Sequence, residues 1–294
     1  MGQLQGQWTP IPMLLAVPNK GRLQEPVLKL LEAVGIRPLA SDERALVVPT
    51  TWREINLIRA RPEDIPFIVE SGRVWAGITG HDYVVESGAN VREVLELDFG
   101  RGKLVVAVPK SSDISSVEQL PPGARVATKF VNIAYSYFGE LGKRVRVIRV
   151  TGSVEVLPQL GIADAILDVM ATGTTLEVHG LVPVATVLET SARLIVNPKY
   201  EEHELTKMLV TFVKGYYAAQ GKKMIFLNVP ADKLEAVLSV LPAMEAPSVT
   251  KLAKGDVYEV FSVVPEEGLP DLVIRLKQAG AKDIVVTSIE KLIS

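Results

Sequence analysis

A chain of 294 residues has room for two or three domains, and 48% hydrophobic with 22% charged residues provides material for real cores. A net charge of −2 without any block of like charge gives no basis for a nucleic-acid surface or a charged tail. The absence of cysteine excludes disulfides and thiol chemistry, and three scattered histidines, His81, His179 and His203, argue against a histidine metal centre.

Met1 to Pro12 reads as a polar leader with no basic residue. The apolar run that follows, Met13 to Val17, is too short for a signal peptide or a membrane span, so a soluble cytoplasmic protein is the expectation. That run reads as a buried strand. After Pro18 to Leu23 comes an amphipathic helix carrying Val27, Leu28, Leu30, Leu31 and Val34, closed by Gly35. Ala45 to Val48 and Ile55 to Ile58 are short strands. Pro62, followed by Glu63 and Asp64, suits the start of a helix. Val74 to Ile78 is a strand ending in the corner Thr79-Gly80-His81-Asp82. Leu104 to Val108 and Arg125 to Ala127 are strands, and Ile133 to Leu141 is a helix. The strand Val145 to Val150 leads into Thr151-Gly152-Ser153 and a helix with Glu155 in its first turn. A strand from Ala165 to Val169 follows, then a short helical stretch that stops at Gly180. Val182 to Leu188 and Arg193 to Val196 are strands, and Leu205 to Tyr217 is a long helix.

Alternating strands and helices imply parallel or mixed sheets covered by helices, and more than 200 residues is long for one sheet. Two lobes are therefore expected, residues 1–100 with 190–220 forming one and 101–189 the other. From Gly221 the order changes to strand, helix, two strands, helix, strand, the βαββαβ ferredoxin-like arrangement, assigned to a separate domain of residues 221–294.

Ligands of such α/β folds bind at strand C-terminal ends, where four polar loops fall: Lys20 to Arg22, Thr79 to Asp82, Thr151 to Glu155, and Thr172 to Thr175. The last is the most informative. A buried strand carrying Asp168 breaks into Ala171-Thr172-Gly173-Thr174-Thr175 and then a helix. That geometry binds phosphate through free amides and hydroxyls, with Gly173 permitting close approach, and the acid at the strand end suits sugar hydroxyls. The same threonines also suit an ordinary helix N-cap, and the absence of Gly-Lys-Ser/Thr excludes a P-loop.

The spaced set Glu155, Gly161, Ala163, Ile166, Asp168-Val169 and Thr172-Gly173-Thr174-Thr175-Leu176 resembles the signature of the ATP phosphoribosyltransferase family, long form. Lys20-Gly21-Arg22-Leu23 resembles its entry motif, Gly77-Ile78-Thr79-Gly80 its second-strand corner, and Glu290-Lys291-Leu292-Ile293 its chain end. The resemblance runs from about Met13 to Ser294, with Asn19 a small departure. It implies a two-lobed core like that of periplasmic binding proteins, with a ferredoxin-like regulatory domain. The implied reaction, the first of histidine biosynthesis, joins phosphoribosyl pyrophosphate and ATP into phosphoribosyl-ATP and pyrophosphate, with Mg²⁺.

The resemblance further implies roles. Ala171, Thr172, Gly173, Thr174 and Thr175 hold the donor's 5′-phosphate. Asp168 and Glu155 face ribose hydroxyls as the catalytic pair, and Lys20, Gly21, Arg22, Leu23 and Gly80 take pyrophosphate or ATP phosphates. Mg²⁺ rides on pyrophosphate with few protein ligands. The C-terminal domain binds histidine as feedback inhibitor, with Asn228, Ser248 and Thr250 as contacts, and the chain assembles as a homo-oligomer, dimer to hexamer. The alternative is a non-enzymatic two-lobed solute-binding protein or effector domain, against which stand the lack of a helix-turn-helix segment and the spaced acid and Thr-Gly-Thr-Thr set.

Overall fold

A computed structural model describes residues 12–39, 45–242 and 246–294; the leader assigned to residues 1–12 lies almost wholly outside them. The chain runs β1 (Met13–Pro18), α1 (Gln24–Ala33), β2 (Val47–Pro49), β3 (Ile55–Ala60), α2 (Ile65–Glu70), β4 (Ala76–Gly80), α3 (His81–Ser87), β5 (Arg92–Glu96), β6 (Gly102–Pro109), β7 (Ala124–Thr128), α4 (Val131–Glu140), β8 (Val145–Arg149), β9 (Ala165–Met170), α5 (Thr174–Val178), β10 (Leu181–Thr190) and β11 (Ala192–Val196). There follow α6 (Glu204–Ala219), β12 (Lys222–Pro230), α7 (Leu234–Val240), β13 (Ser248–Lys251), β14 (Val257–Pro265), α8 (Leu269–Ala279) and β15 (Lys282–Ser288).

Two sequence readings are corrected, and one strand is added. The helix expected from Pro62 begins at Ile65, because residues 62–64 form a turn and Pro66 occupies the first helical turn. Glu155 sits on a single 3-10 turn, Val154–Val156, not a helix: positive-φ Ser153 precedes it, and Pro158 and Gly161 follow closely. Arg92–Glu96 is a strand that the sequence conceals, since only Val94 and Leu95 are apolar in it.

The contacts divide the chain into a unit ending at Lys207 and one beginning at Met208. The first holds two sheets. One is ordered β2-β3-β1-β4-β11-β5, the other β10-β6-β9-β7-β8. In each, three parallel strands (β3-β1-β4 and β8-β7-β9) are followed by an antiparallel strand, β11 or β6, reached by the chain crossing from the other sheet. The crossings are residues 97–101 and Ser191. The result is the two-lobed α/β core expected from the alternation of elements.

Burial on both faces explains the continuous apolar strands. In the second lobe Leu104, Val106, Val108, Val126 and Leu167 pack on one face with Phe130 and Phe138. Val105, Ala107, Ala127 and Ile166 pack on the other with Leu176. The second unit is ordered β13-β14-β12-β15 with α7 and α8 on one face. Its strands alternate accordingly: Ile225, Leu227, Val229, Val260 and Val264 are buried against Val237, Leu272 and Leu276, while Met224, Phe226, Phe261 and Val263 lie on the opposite face.

Candidate active site

The C-terminal edge of the second sheet carries the acids and the threonine loop. β9 is buried through Leu167 and emerges at the half-buried Asp168. The loop beyond it is open, with Ala171, Thr172, Thr174 and Thr175 exposed. Gly173 turns the chain with φ 81°, a left-handed conformation that a side chain would strain. No side chain caps α5, and Thr172 Oγ1 instead lies 3.2 Å from Thr174 Oγ1. The first amides of α5 therefore face outward, and the hydroxyls stand clear of the N-cap arrangement that the sequence left open. Buried Leu176 ties the loop to the sheet.

Glu155 is half-buried on its own loop after β8 and is anchored by buried Val154. It comes close enough to Asp168 to raise its pKa. Burial is the largest influence on Asp168 and moves its carboxyl above the ordinary aspartate range. The Val169 amide and the Lys129 ammonium pull it down, while Glu155 and Asp82 push it up. Lys129 follows β7 directly. Its Nζ donates to Tyr83 Oη at 3.0 Å and lies over the rings of Tyr83 and Phe130. Burial would lower its pKa, but Tyr83, Asp168 and Asp82 together hold it above the ordinary lysine value.

The first sheet supplies the entry loop and the Gly80 corner. Lys20 is exposed, 3.5 Å from Glu63, while Leu23 is buried and fastens the loop beneath. Arg22 joins distant segments. Its Nη2 donates to both oxygens of Asp82 at 3.3 Å, and its Nη1 donates to the Gly100 carbonyl at 2.5 Å. Asp82 is fully buried and also accepts from Thr190 Oγ1 at 2.8 Å, while its own amide donates to that oxygen at 3.0 Å. One clamp thus holds both crossings between the lobes. Gly80 makes room for it, because a Cβ there would collide with Asp82 Oδ1.

Two cavities flank this arrangement. One of about 360 Å³ lies between the lobes, lined by Arg61, Tyr83 and Glu86 of the first and Lys129, Arg149 and Thr151 of the second. Another, of about 550 Å³, opens at the crossings, where Met170, Ala171 and Thr172 meet Arg101, Lys103 and Arg193. The structure thus brings Glu155, Asp168 and the threonine loop to one edge, with Lys20 to Leu23 and Gly80 at the corresponding edge of the first sheet. Sequence reading passed over Lys129 and Tyr83 entirely and noted Asp82 only as the end of the Thr79 to Asp82 loop. Lys129 was visible only as a cation directly after a strand, the position that drew attention to Lys20.

In the second unit Asn228 and Thr250 are paired on either side of Glu259, and Asn228 Nδ2 donates to Asp283 Oδ2 at 3.1 Å. Ser248 lies apart from them, lining a cavity of about 330 Å³ with Met224, Phe261, Val263 and Leu292.

Comparisons with known proteins place the chain in a family. The family model described as ATP phosphoribosyltransferase matches residues 61–215, and that of the family's C-terminal domain matches residues 219–291. The ATP phosphoribosyltransferase of Pyrobaculum aerophilum is 86% identical over 281 residues, covering 96% of this chain and all of that one. The enzyme of the same name from Sulfolobus acidocaldarius is 52% identical over 284 residues, with the same coverage. Among solved structures, a chain of the ATP phosphoribosyl transferase (HisG:HisZ) complex from Thermotoga maritima superposes with a TM-score of 0.59 at 27% identity, over 68% of this chain and 98% of that one. The chain belongs to the ATP phosphoribosyltransferase family, in the form that carries a C-terminal domain.

Proposed function

We propose that the cleft edge formed by Asp168, Glu155 and Thr172 to Thr175 is the phosphoribosyl site of this enzyme. The reaction transfers 5-phosphoribosyl from phosphoribosyl pyrophosphate to N1 of ATP, the first step of histidine biosynthesis. The observation that carries the site is the open loop after β9, with no side-chain cap on its helix, exposed threonines and a left-handed glycine, next to a partly buried carboxylate. The loop holds the ribose 5′-phosphate. Asp168 and Glu155 accept from ribose hydroxyls, and their negative charge favours the oxocarbenium-like transition state as the C1–pyrophosphate bond breaks. The adenine N1 lone pair is free at neutral pH, so attack needs alignment rather than a strong base.

The leaving pyrophosphate, or the phosphates of ATP, lie on Lys20 to Leu23 and the Gly80 corner. Supporting this, no side chain caps the ten-residue helix α1, and the Lys20 ammonium is exposed beside it. Gly21 adopts φ 78° with open space around it, which lets a phosphate approach the backbone. Arg22 takes part through whatever donors its clamp on Asp82 and Gly100 leaves available.

Mg²⁺ completes the set. Among the described residues no three or more His, Cys, Asp or Glu side chains converge on one point. That donor set fits an ion held chiefly by substrate phosphates, since Mg²⁺ keeps its waters and takes one or two carboxylates. Asp168 and Glu155 are the carboxylates that would hold it, and when bound it neutralises charge on the pyrophosphate. The C-terminal unit binds histidine as inhibitor, with Asn228, Ser248 and Thr250 the first contacts to test, and the chain forms a homo-oligomer. No helix among the described residues is long and apolar enough to cross a membrane, and the cytoplasm is the compartment that suits these substrates. The deciding measurement is pyrophosphate release from phosphoribosyl pyrophosphate: release that requires ATP is expected, and ATP-independent or absent release refutes the assignment.

A further inference from the structure

We propose that Asp82 is a positioning residue for the departure of pyrophosphate: buried where the lobes join, it holds the Arg22 guanidinium with its outer edge turned toward the leaving group. The inference rests on the reading of Lys20 to Leu23 as the pyrophosphate site.

The carboxylate is fixed independently of the arginine. Asp82 lies in the first turn of α3 and is buried. Its amide donates to Thr190 Oγ1 at 3.0 Å, and that hydroxyl donates back to Asp82 Oδ1 at 2.8 Å, a closed ring that holds the side chain in one orientation. The neighbouring His81 amide donates to the Ser191 carbonyl at 3.0 Å, so the start of α3 is fastened to the second crossing between the lobes. The first crossing is fastened to the second in turn. The Ala192 amide donates to the Phe99 carbonyl at 3.0 Å, and the Leu97 amide to the Ala192 carbonyl at 2.9 Å.

Arg22 is seated on this joint by its two Nη atoms. Nη2 donates to both Asp82 oxygens at 3.3 Å, and Nη1 donates to the Gly100 carbonyl of the first crossing at 2.5 Å. Gly100 leaves room for that seat, since a Cβ there would stand 3.3 Å from Nη1 and closer still to Leu23 Cδ2. A guanidinium carries several N–H donors in one rigid plane. Among the described residues the bonds of Arg22 engage Nη1 and Nη2 and not Nε, and the side chain remains 33% exposed. Its plane is therefore set while donors are left for an anion. Lys20 on the same loop contrasts with it. Its ammonium meets Glu63 at 3.5 Å with both side chains exposed, a contact that fixes little. As the C1–oxygen bond of the donor breaks, the electron pair leaves with pyrophosphate. A cation already held in place stabilises that charge without reorganising at the moment of reaction. A planar fork also matches phosphate oxygens, and one that swings freely loses affinity in being ordered.

The test measures inhibition of the forward reaction by two probes at fixed Mg²⁺: pyrophosphate, which meets Arg22, and ribose 5-phosphate, which engages the threonine loop alone. Asp82→Ala is expected to raise the inhibition constant for pyrophosphate roughly three- to tenfold, what ordering one long side chain costs, and to leave that for ribose 5-phosphate within about twofold. Asp82→Asn keeps one acceptor for Arg22 and should lose less. Arg22→Met should lose at least as much as Asp82→Ala. In that background Asp82→Ala should add nothing, because a residue acting through Arg22 has no effect once Arg22 is gone. A pyrophosphate constant that stays put in Asp82→Ala overturns the inference, and so does one that falls, the result expected of a carboxylate that merely offsets the arginine's charge. Equal weakening of both probes marks a loosened cleft and overturns it as well, as does an Asp82→Ala effect that survives in Arg22→Met. If Asp82→Ala does not fold, Asp82→Asn decides on the same probes: an unmoved pyrophosphate constant overturns the inference. A pyrophosphate constant unchanged in Arg22→Met would instead overturn the reading of the entry loop.

Discussion

The Arg22–Asp82 pair is asymmetric, and that asymmetry gives a quantitative prediction. The Asp82 side chain is 1% exposed, whereas that of Arg22 is 33% exposed. Removing the arginine leaves a buried carboxylate with only neutral hydrogen-bond partners, Thr190 Oγ1 chief among them. Breaking a buried pair in this way costs about 3–5 kcal/mol. Replacing the carboxylate by an amide leaves a guanidinium that still reaches water and the Gly100 carbonyl. The loss is then two charge-assisted bonds of 3.3 Å, long enough to place their combined worth near ~2 kcal/mol. Arg22→Met should therefore destabilise the first unit more than Asp82→Asn. At roughly 2–4 °C per kcal/mol for a unit of this size, Asp82→Asn should lower its thermal transition by roughly 4–8 °C, and Arg22→Met by roughly 10 °C. The double variant should fall short of the sum, because each single change removes the same pair. Calorimetry on the three proteins reads this directly. Equal shifts, or a larger one for Asp82→Asn, would refute the assignment of the buried charge as the costly partner.

Asp168→Asn should cut turnover by two orders of magnitude or more while changing ATP binding little, measured by steady-state kinetics and ATP titration. The same variant should be more stable than the parent at neutral pH. Burial raises the Asp168 pKa, so the folded state binds its proton more tightly than the unfolded chain, and the ionised group weakens the fold as pH rises above the ordinary aspartate value. The stability advantage of Asp168→Asn should vanish in denaturation curves taken below that value. Gly173→Ala should raise KM for phosphoribosyl pyrophosphate and cost about 1–2 kcal/mol of local strain, since φ 81° disfavours a Cβ although only the Met170 sulfur, 3.5 Å away, lies near it. Asp164 behaves oppositely to Asp168. Its bond to the Arg125 side chain, reinforced by the Arg125 amide at 2.8 Å, lowers its pKa, so its stabilisation is present above the unfolded value and is lost as pH falls through the folded one. Acid titration of Asp164→Asn against the parent should show a gap in stability at neutral pH that closes on acidification.

Most of the architecture was legible because burial on two faces writes continuous apolar runs, and because glycine and proline punctuate them. Strands were missed or trimmed where packing does not demand apolar residues, as in Arg92–Glu96 at a sheet edge. The short-range site was legible too: Asp168 and Thr172 to Thr175 are neighbours in sequence, so a strand ending in a loop already places them together. The entry loop and Glu155 could be ranked only by their positions at strand ends.

The residues that complete the site are decided by tertiary structure. Arg22 and Asp82 are 60 positions apart, Asp82 and Thr190 are 108, and Tyr83 and Lys129 are 46. Nothing in local pattern distinguishes Lys129 from a solvated lysine, because its surroundings come from β9, from the loop after β8 and from a helix of the other lobe. By itself the sequence determined which segments are strands, where their polar ends lie and which loop is the candidate phosphate cradle. The pairing of strands across two sheets decided which charges face one another, and electrostatic balance depends on distances that only the folded chain creates.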